Sequence, residues 1–302
     1  MSSSLTAFFL CAGYGKRLRP LTDRVPKPAI PFLGESALAL NVRAVDEALK
    51  PDKRIANAHH LPDAIRTLAA PLEMDVIFEP EILGTGGCLA NAAGVLGATE
   101  HFLVHNADLI HDIDLAALWR EHVESGALAT LAGMHVEGAA NTLSVSTAGA
   151  LLGVHGFEGF AGDAEESKRL TFAGVAFYRR DFLAFCPSGE SDIKPLWKNA
   201  QKGGGRIRVK DFSGTSWFDF GTPQGLWEAT KHWMEKSGTF AHGYSDALDD
   251  KGRPPRVSNE AGLKDLPTGL RNVVIYETPK IPLDPETTNL LTGFDFDWKI
   301  RP

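Results

Sequence analysis

The chain is poor in the features that staple or anchor a fold. Its three cysteines, Cys11, Cys88 and Cys186, form an odd-numbered, widely separated set with no Cys-x-x-Cys spacing. That pattern excludes a disulfide framework or zinc ribbon and points to reduced thiols in a cytoplasmic protein. No apolar run approaches the ~20 residues of a membrane span. The run that opens at Leu5 ends at Ala12, and the preceding Met1-Ser2-Ser3-Ser4 carries no basic region. A membrane partner is therefore not expected. Positive charge is also short: a net charge of -7 excludes a surface built for nucleic acid, which needs a basic stripe. Any phosphate site must be local. What the chain does have is length, 302 residues, enough to bury roughly 70–75% of its unfolded surface without staples.

The apolar run Leu5 to Ala12 ends in a glycine loop, as a strand buried on both faces of a parallel sheet does. The spacing then predicts helices over Ala37 to Leu49, Leu61 to Leu72, Leu89 to Leu96 and Leu115 to Ser125, with strands at Arg54 to Asn57, Met74 to Phe78 and His101 to His105. Strands alternating with helices of this length imply right-handed βαβ units. The expected class is α/β, Rossmann-like and doubly wound. Further strands are expected at Ala127 to His135, Leu143 to Ser146, Ala150 to Val154, Thr171 to Tyr178 and Arg206 to Lys210, continuing the sheet in mixed form. Phe182 to Phe185, Ile193 to Ala200 and Pro223 to Lys236 supply helical pieces. Past Gly238 the chain turns proline-rich, and its one strongly β-like run is Asn272 to Tyr276. The expected organisation is a catalytic domain over residues 1–240 and a short β-containing extension over 241–302. That extension must dock on the domain or pair two subunits, because an apolar strand left exposed invites association.

Five segments carry chemistry. In Ala12-Gly13-Tyr14-Gly15-Lys16-Arg17-Leu18-Arg19-Pro20 two glycines let backbone N–H groups approach an anion, with three cations beside them. The loop is not a dinucleotide fingerprint, since Leu18 stands where the third glycine belongs, and it is not a Walker loop, since Arg17 follows Gly15-Lys16. In Pro26-Lys27-Pro28 prolines restrict the backbone around an ammonium. Glu79-Pro80-Glu81-Ile82-Leu83-Gly84-Thr85-Gly86-Gly87 follows a predicted strand and leads into a helix that Thr85 can cap. Asn106-Ala107-Asp108 closes a strand, and Trp217-Phe218-Asp219-Phe220-Gly221-Thr222-Pro223 holds a second carboxylate. His59-His60 is adjacent, lacks the spacing of a zinc set and reads as structural.

The run from Leu10 to Thr22 followed by Pro26-Lys27-Pro28 resembles the signature of the sugar-1-phosphate nucleotidyltransferase family, and the resemblance extends over about residues 5 to 236. It implies a nucleotidyltransferase fold and transfer of a nucleoside monophosphate from a nucleoside triphosphate to a sugar 1-phosphate, with release of pyrophosphate. By the same resemblance Arg17 orients the leaving pyrophosphate, Lys27 reaches the α-phosphate and the sugar phosphate, and Asp108 and Asp219 hold Mg²⁺. Leu10, Ala12, Gly13, Tyr14, Gly15, Lys16 and Arg17, with Glu79, Gly84, Thr85 and Gly86, are expected to line the nucleotide. Asn106, Asn141, Glu158, Lys168, Thr171 and Gly174 are the expected sugar-side residues. The preferred pair is GTP with a mannose- or heptose-type 1-phosphate; the alternative is an N-acetylmuramate-1-phosphate uridylyltransferase, and a homodimer is expected from related enzymes. Two other classes compete: a metal-dependent glycosyltransferase, which leaves the Gly13 to Lys27 loop unexplained, and a non-catalytic nucleotide-sugar-binding regulatory subunit, which has no need for all four of Arg17, Lys27, Asp108 and Asp219.

Overall fold

The computed structural model describes residues 3–32, 35–160, 165–189, 191–237, 271–275, 288–293 and 296–299. The chain divides into two compact units: Met1–Gly13, Val42–Ala107 and His111–Trp217 form the first, and Tyr14–Asn41, Asp108–Ile110 and Phe218–Pro302 the second.

In chain order the elements are β1 (Leu5–Leu10), β2 (Pro31–Phe32), β3 (Glu35–Ser36), α1 (Ala37–Leu49), β4 (Lys53–Ala58), α2 (Pro62–Ala69), β5 (Asp75–Phe78), α3 (Gly84–Asn91) and α4 (Ala93–Leu96). They continue with β6 (His101–Asn106), β7 (Leu109–His111), α5 (Leu115–Ser125), β8 (Ala129–Met134), β9 (Leu143–Ser146), β10 (Leu151–Val154) and β11 (Glu166–Arg179). The last are α6 (Ile193–Lys202), β12 (Ile207–Asp211), β13 (Trp217–Asp219), α7 (Pro223–Ser237), β14 (Arg271–Ile275), β15 (Thr288–Gly293) and β16 (Phe296–Lys299).

The first unit is built on one nine-stranded mixed sheet. Its opening half is parallel, in the order β5-β4-β1-β6. β1 lies between two parallel neighbours, which is why its Leu-Thr-Ala-Phe-Phe-Leu sequence has no polar face: Leu5, Ala7, Phe8 and Phe9 are buried. Because β4 and β5 lie on one side of β1 and β6 on the other, the order reverses between β1 and β6. In open α/β sheets ligands bind at the carboxyl ends beside such a switch point. The long β11 then pairs antiparallel with β6, β8 and β9, and β12 runs parallel to β8. The apolar core packs Phe8, Ile55, Leu89, Phe102, Leu131, Tyr178 and Trp197 together. α5 begins where its sequence signals it: the Asp114 carboxylate accepts the Ala117 N–H at 2.8 Å, and Gly126 closes the helix in the left-handed region.

Several boundaries differ from the sequence reading, each for a local reason. The helix expected from Leu89 starts at Gly84, with three glycines in its opening turn. Gly189, Ser191 and Asp192 press against that turn, and a Cβ at Gly84, Gly86 or Gly87 would collide with one of them. The strand expected over Thr171 to Tyr178 spans Glu166–Arg179, its polar start being held by the β9 ladder. The turn at Phe182 to Phe185 is 3₁₀ rather than α. The tail contains three strands where sequence found one run: β14 and β15 pair parallel, β15 and β16 antiparallel. Tyr276 and the expected docking or dimer contacts of residues 241–302 lie outside the described residues. Among the described residues no helix is long and apolar enough to cross a membrane.

Candidate active site

In the second unit the loop after Gly13 is anchored by its apolar residues. Leu18 and Leu21 are buried with Ile30, Phe32, Ile110, Phe220, Leu226 and Trp227. Gly15 takes a left-handed φ of 61°, and a Cβ there would meet Thr22 Cγ2 at 2.8 Å, so glycine is required for the turn. Thr22 Oγ1 donates to the Gly15 carbonyl at 2.9 Å and closes the loop. The three cations expected beside an anion separate in the structure: Lys16 stands over the Tyr14 ring, Arg19 pairs with Asp23 at 2.9 Å, and Arg17 turns toward Gly221.

Lys27, 9% exposed, opens a short 3₁₀ turn between Pro26 and Pro28. Its ammonium donates to Asp108 and, at 3.3 Å, to Asp219 Oδ1. The two carboxylates come from distant parts of the chain. Asp108 sits in the turn between β6 and β7, Asp219 ends β13, and β7 pairs with β13. The Phe220 N–H donates to the Asp108 carbonyl at 3.4 Å, and Asn41 Nδ2 to the Leu109 carbonyl at 2.9 Å, fixing the turn from both sides. Gly221 is a site residue that sequence reasoning quoted without assigning a role. A Cβ there would run into the Arg17 guanidinium and stand 3.0 Å from both Asp219 Oδ1 and Lys27 Nζ. Its N–H also donates to Asp219 Oδ1 at 2.7 Å. Glycine thus lets four charged groups, Arg17, Lys27, Asp108 and Asp219, share one locus.

Two carboxylates converging on a single ammonium mark a spot where positive charge is stabilised. Hard carboxylate oxygens of this kind suit Mg²⁺, which takes one or two carboxylates and completes its shell with water and phosphate oxygens. The described residues hold no group of three or more His, Cys, Asp or Glu able to bind a metal by themselves.

In the first unit the carboxyl edge of the parallel strands is tied by one buried network. The Cys11 N–H donates to Asn57 Oδ1 at 2.6 Å, Asn57 Nδ2 to Glu79 Oε1 at 2.8 Å, and the Leu83 N–H to Glu79 Oε2 at 3.3 Å. The end of β4 and the loops after β1 and β5 are thereby locked together. Glu79 is 1% exposed and engages both oxygens within the protein. Asn57 was missed by the sequence reading, although an Asn among the buried residues Ile55, Ala56 and Ala58 at the end of β4 was the available signal. Thr85 does not cap its own helix; its Oγ1 accepts the Ile193 N–H that opens α6. Leu10 is half-buried and Ala12 buried, and the Cβ position of Gly13 has no atom within 4 Å.

The expected sugar-side residues divide. Asn141, 8% exposed at φ 44°, accepts from the Val136 N–H and Thr171 Oγ1 and donates to the Val136 and Ala139 carbonyls. Asn141 and Thr171 therefore come together to close a loop. Lys168 pairs with Asp211 at 2.6 Å, and Glu158 is exposed. Gly174, at φ 77°, lies in the register shift of β11, beside the Ala173 carbonyl that accepts the Trp217 indole N–H at 3.0 Å. The Asn106 carbonyl accepts from His105 Nδ1 at 2.7 Å. His59 Nδ1 lies 2.9 Å from the Glu79 carbonyl. Burial pushes the Cys88 and Cys186 thiols up, Cys186 to about 12, so neither is a thiolate nucleophile at neutral pH.

Comparison with known proteins extends this picture. Residues 6–142 match the model of the family described as nucleotidyl transferase. A mannose-1-phosphate guanylyltransferase catalytic subunit beta of Drosophila melanogaster is 35% identical over 137 residues, covering 43% of this chain and 37% of that protein. The chain thus matches little more than a third of that relative's length. An N-acetylmuramate alpha-1-phosphate uridylyltransferase of Neisseria meningitidis serogroup B is 28% identical over 243 residues, covering 74% of this chain and 96% of the relative. Among solved structures, HddC from Yersinia pseudotuberculosis complexed with GMP-PN superposes with a TM-score of 0.59 at 18% identity, over 76% of this chain and 99% of its own. A UDP-glucose pyrophosphorylase from Acinetobacter baumanii gives a TM-score of 0.64 at 18% identity, over 77% of this chain and 94% of its own. The mixed, mostly parallel α/β sheet is the nucleotidyltransferase fold of these solved structures, and it is residues 6–142 that carry the match to the nucleotidyl transferase family.

Proposed function

We propose that the chain is a Mg²⁺-dependent sugar-1-phosphate nucleotidyltransferase of the cytoplasm. The observation that carries this reading is the single locus of Lys27, Asp108, Asp219 and Arg17 around Gly221. An oxygen of the sugar 1-phosphate attacks the α-phosphorus of the nucleoside triphosphate. The bond from that phosphorus to the bridging oxygen breaks, and pyrophosphate leaves with the electron pair. No general base is needed, because a phosphate monoester is already anionic at neutral pH; positioning and charge neutralisation carry the step. Asp108 and Asp219 hold Mg²⁺, which when bound supplies electrophilic charge to the triphosphate. Lys27 moves its ammonium onto the α-phosphate and the incoming sugar phosphate, and Arg17 steadies the leaving pyrophosphate with its bidentate fork. Amides of the Gly13 to Gly15 loop receive the triphosphate.

GTP with a mannose- or heptose-type 1-phosphate is the first pairing, supported by the Drosophila relative. UTP with N-acetylmuramate 1-phosphate is the second, favoured by the Neisseria relative, which matches over nearly its whole length. A regulatory, non-catalytic subunit is disfavoured because all four charged residues are present and three of them meet directly. Pyrophosphate release measured over four triphosphates and a panel of sugar 1-phosphates tests the proposal. One pair should stand well above the rest with Mg²⁺; no release from any pair would overturn it.

A further inference from the structure

The turn that carries Asp108 joins two strands that do not pair with each other. β6 pairs with β1 and β11, while β7 pairs with β13. No ladder of hydrogen bonds therefore closes this turn on itself, as one closes an ordinary hairpin. Two histidines close it instead. His105 Nε2 and His111 Nε2 lie 2.9 Å apart, with ring centroids separated by 5.1 Å. His105 is fully buried and its ring leans on Phe9 at 5.6 Å.

The partners fix both tautomers. The Asn106 carbonyl can only accept, so His105 Nδ1 carries the proton it donates at 2.7 Å. The Ile113 N–H can only donate, so His111 Nδ1 is bare and accepts at 3.1 Å. His111 Nε2–H must then donate to the bare Nε2 of His105. One directional chain runs from the Ile113 N–H through both rings to the Asn106 carbonyl, from main chain to main chain across the turn. Two apolar side chains could fill the same space without burying four ring nitrogens, yet here every nitrogen is matched with a partner of the correct polarity. Burial holds both rings neutral, lowering His105 to about 4 and His111 to about 3, which keeps the chain intact at neutral pH.

We propose that His105 and His111 are positioning residues for Asp108, clipping the β6–β7 turn so that its carboxylate is held ready for a divalent cation. The inference deepens the reading of Asp108 as a metal ligand and rests on it. Long-range proton–nitrogen NMR of the full chain should show the Nδ1–H tautomer for His105 and the Nε2–H tautomer for His111. Mn²⁺ affinity, measured by electron paramagnetic resonance with nucleoside triphosphate present, should weaken at least fivefold in His111→Phe. It should recover in His111→Gln, which keeps a donor within reach of His105. Reversed tautomers in the wild type, or unchanged Mn²⁺ affinity in a folded His111→Phe, would overturn the inference, and His105→Phe gives the same comparison should His111→Phe not fold. If Asp108→Ala loses Mn²⁺ and His111→Phe does not, this inference alone fails. If Asp108→Ala binds Mn²⁺ normally, the metal-ligand reading fails with it.

Discussion

Lys27 is a buried cation, and a buried cation persists only where opposite charge compensates its lost hydration. Asp108 and Asp219 supply that charge, and the same three groups carry the proposed chemistry. Lys27→Ala should lower the turnover rate by on the order of 10²-fold or more, the size typical of removing one transition-state donor. Arg17→Lys should not recover the rate of Arg17→Ala, since lysine lacks the planar fork; steady-state rates of the two variants, near-full activity in the lysine form being the contrary result, decide this. Gly221 is the less obvious test. Adding one methyl in Gly221→Ala forces the Arg17 guanidinium off its place beside Asp219 and Lys27. The rate should fall by a comparable factor while the melting temperature stays near that of the wild type. A fully active Gly221→Ala would mean that the close approach is not needed.

At the scale of elements, neutral buried histidines make the first unit sensitive to acid. His105 and His122 are fully buried, their protonation suppressed by loss of hydration to about 4 and about 3, against 6.5 in an exposed imidazole. His122 sits between His101 Nδ1 and Thr130 Oγ1, each 3.0 Å away. Because the folded-state values are depressed, the native state has its full advantage above about pH 6.5. It loses that advantage as the pH falls from there toward 4, since only the unfolded chain gains the protons. Each histidine contributes a slope of about 1.4 kcal/mol per pH unit in that window. His111 is depressed in the same way, so urea denaturation between pH 7.5 and 5 should show stability falling with a slope approaching three protons, and a flat profile would contradict the buried neutral assignment.

The elements that sequence located to the residue are those whose local signals agree with their packing. α1 and β9 begin and end as expected, and α5 does so because Asp114 caps it and Gly126 stops it. α3 was read late because glycine weakens a helix by roughly 1 kcal/mol per residue relative to alanine, and only contact with Gly189, Ser191 and Asp192 makes glycine necessary there. Lys27, Asp108 and Asp219 were legible as motifs. Their meeting was not, because it depends on β7 pairing with β13, a register that no local spacing announces. The histidine bridge was illegible for the same reason: His105 and His111 are unremarkable until the turn between them is seen to lack a ladder.

For the molecule as a whole, the proposed division into a catalytic domain over residues 1–240 and an extension over 241–302 remains to be tested by removing the extension. β14, β15 and β16 form a three-stranded sheet of their own. A chain ending at Gly238 keeps Arg17, Lys27, Asp108 and Asp219 and should retain chemistry, while losing thermal stability or changing its mass in light scattering. Unchanged mass and melting temperature would make the extension a loose appendage. Loss of catalysis in a well-folded shortened chain would place part of the active site within it. The proposed activity of the molecule is group transfer at the two aspartates. Its most direct test follows the α-phosphate label of the preferred triphosphate in the presence of sugar 1-phosphate and saturating Mg²⁺, in the wild type, Asp108→Ala and Asp219→Ala. The wild type should move the label into a nucleotide sugar, and each variant should fold normally yet transfer at least about 10²-fold more slowly, the loss of several kcal/mol of metal-mediated charge stabilisation; label transfer at the wild-type rate in either variant would contradict the account.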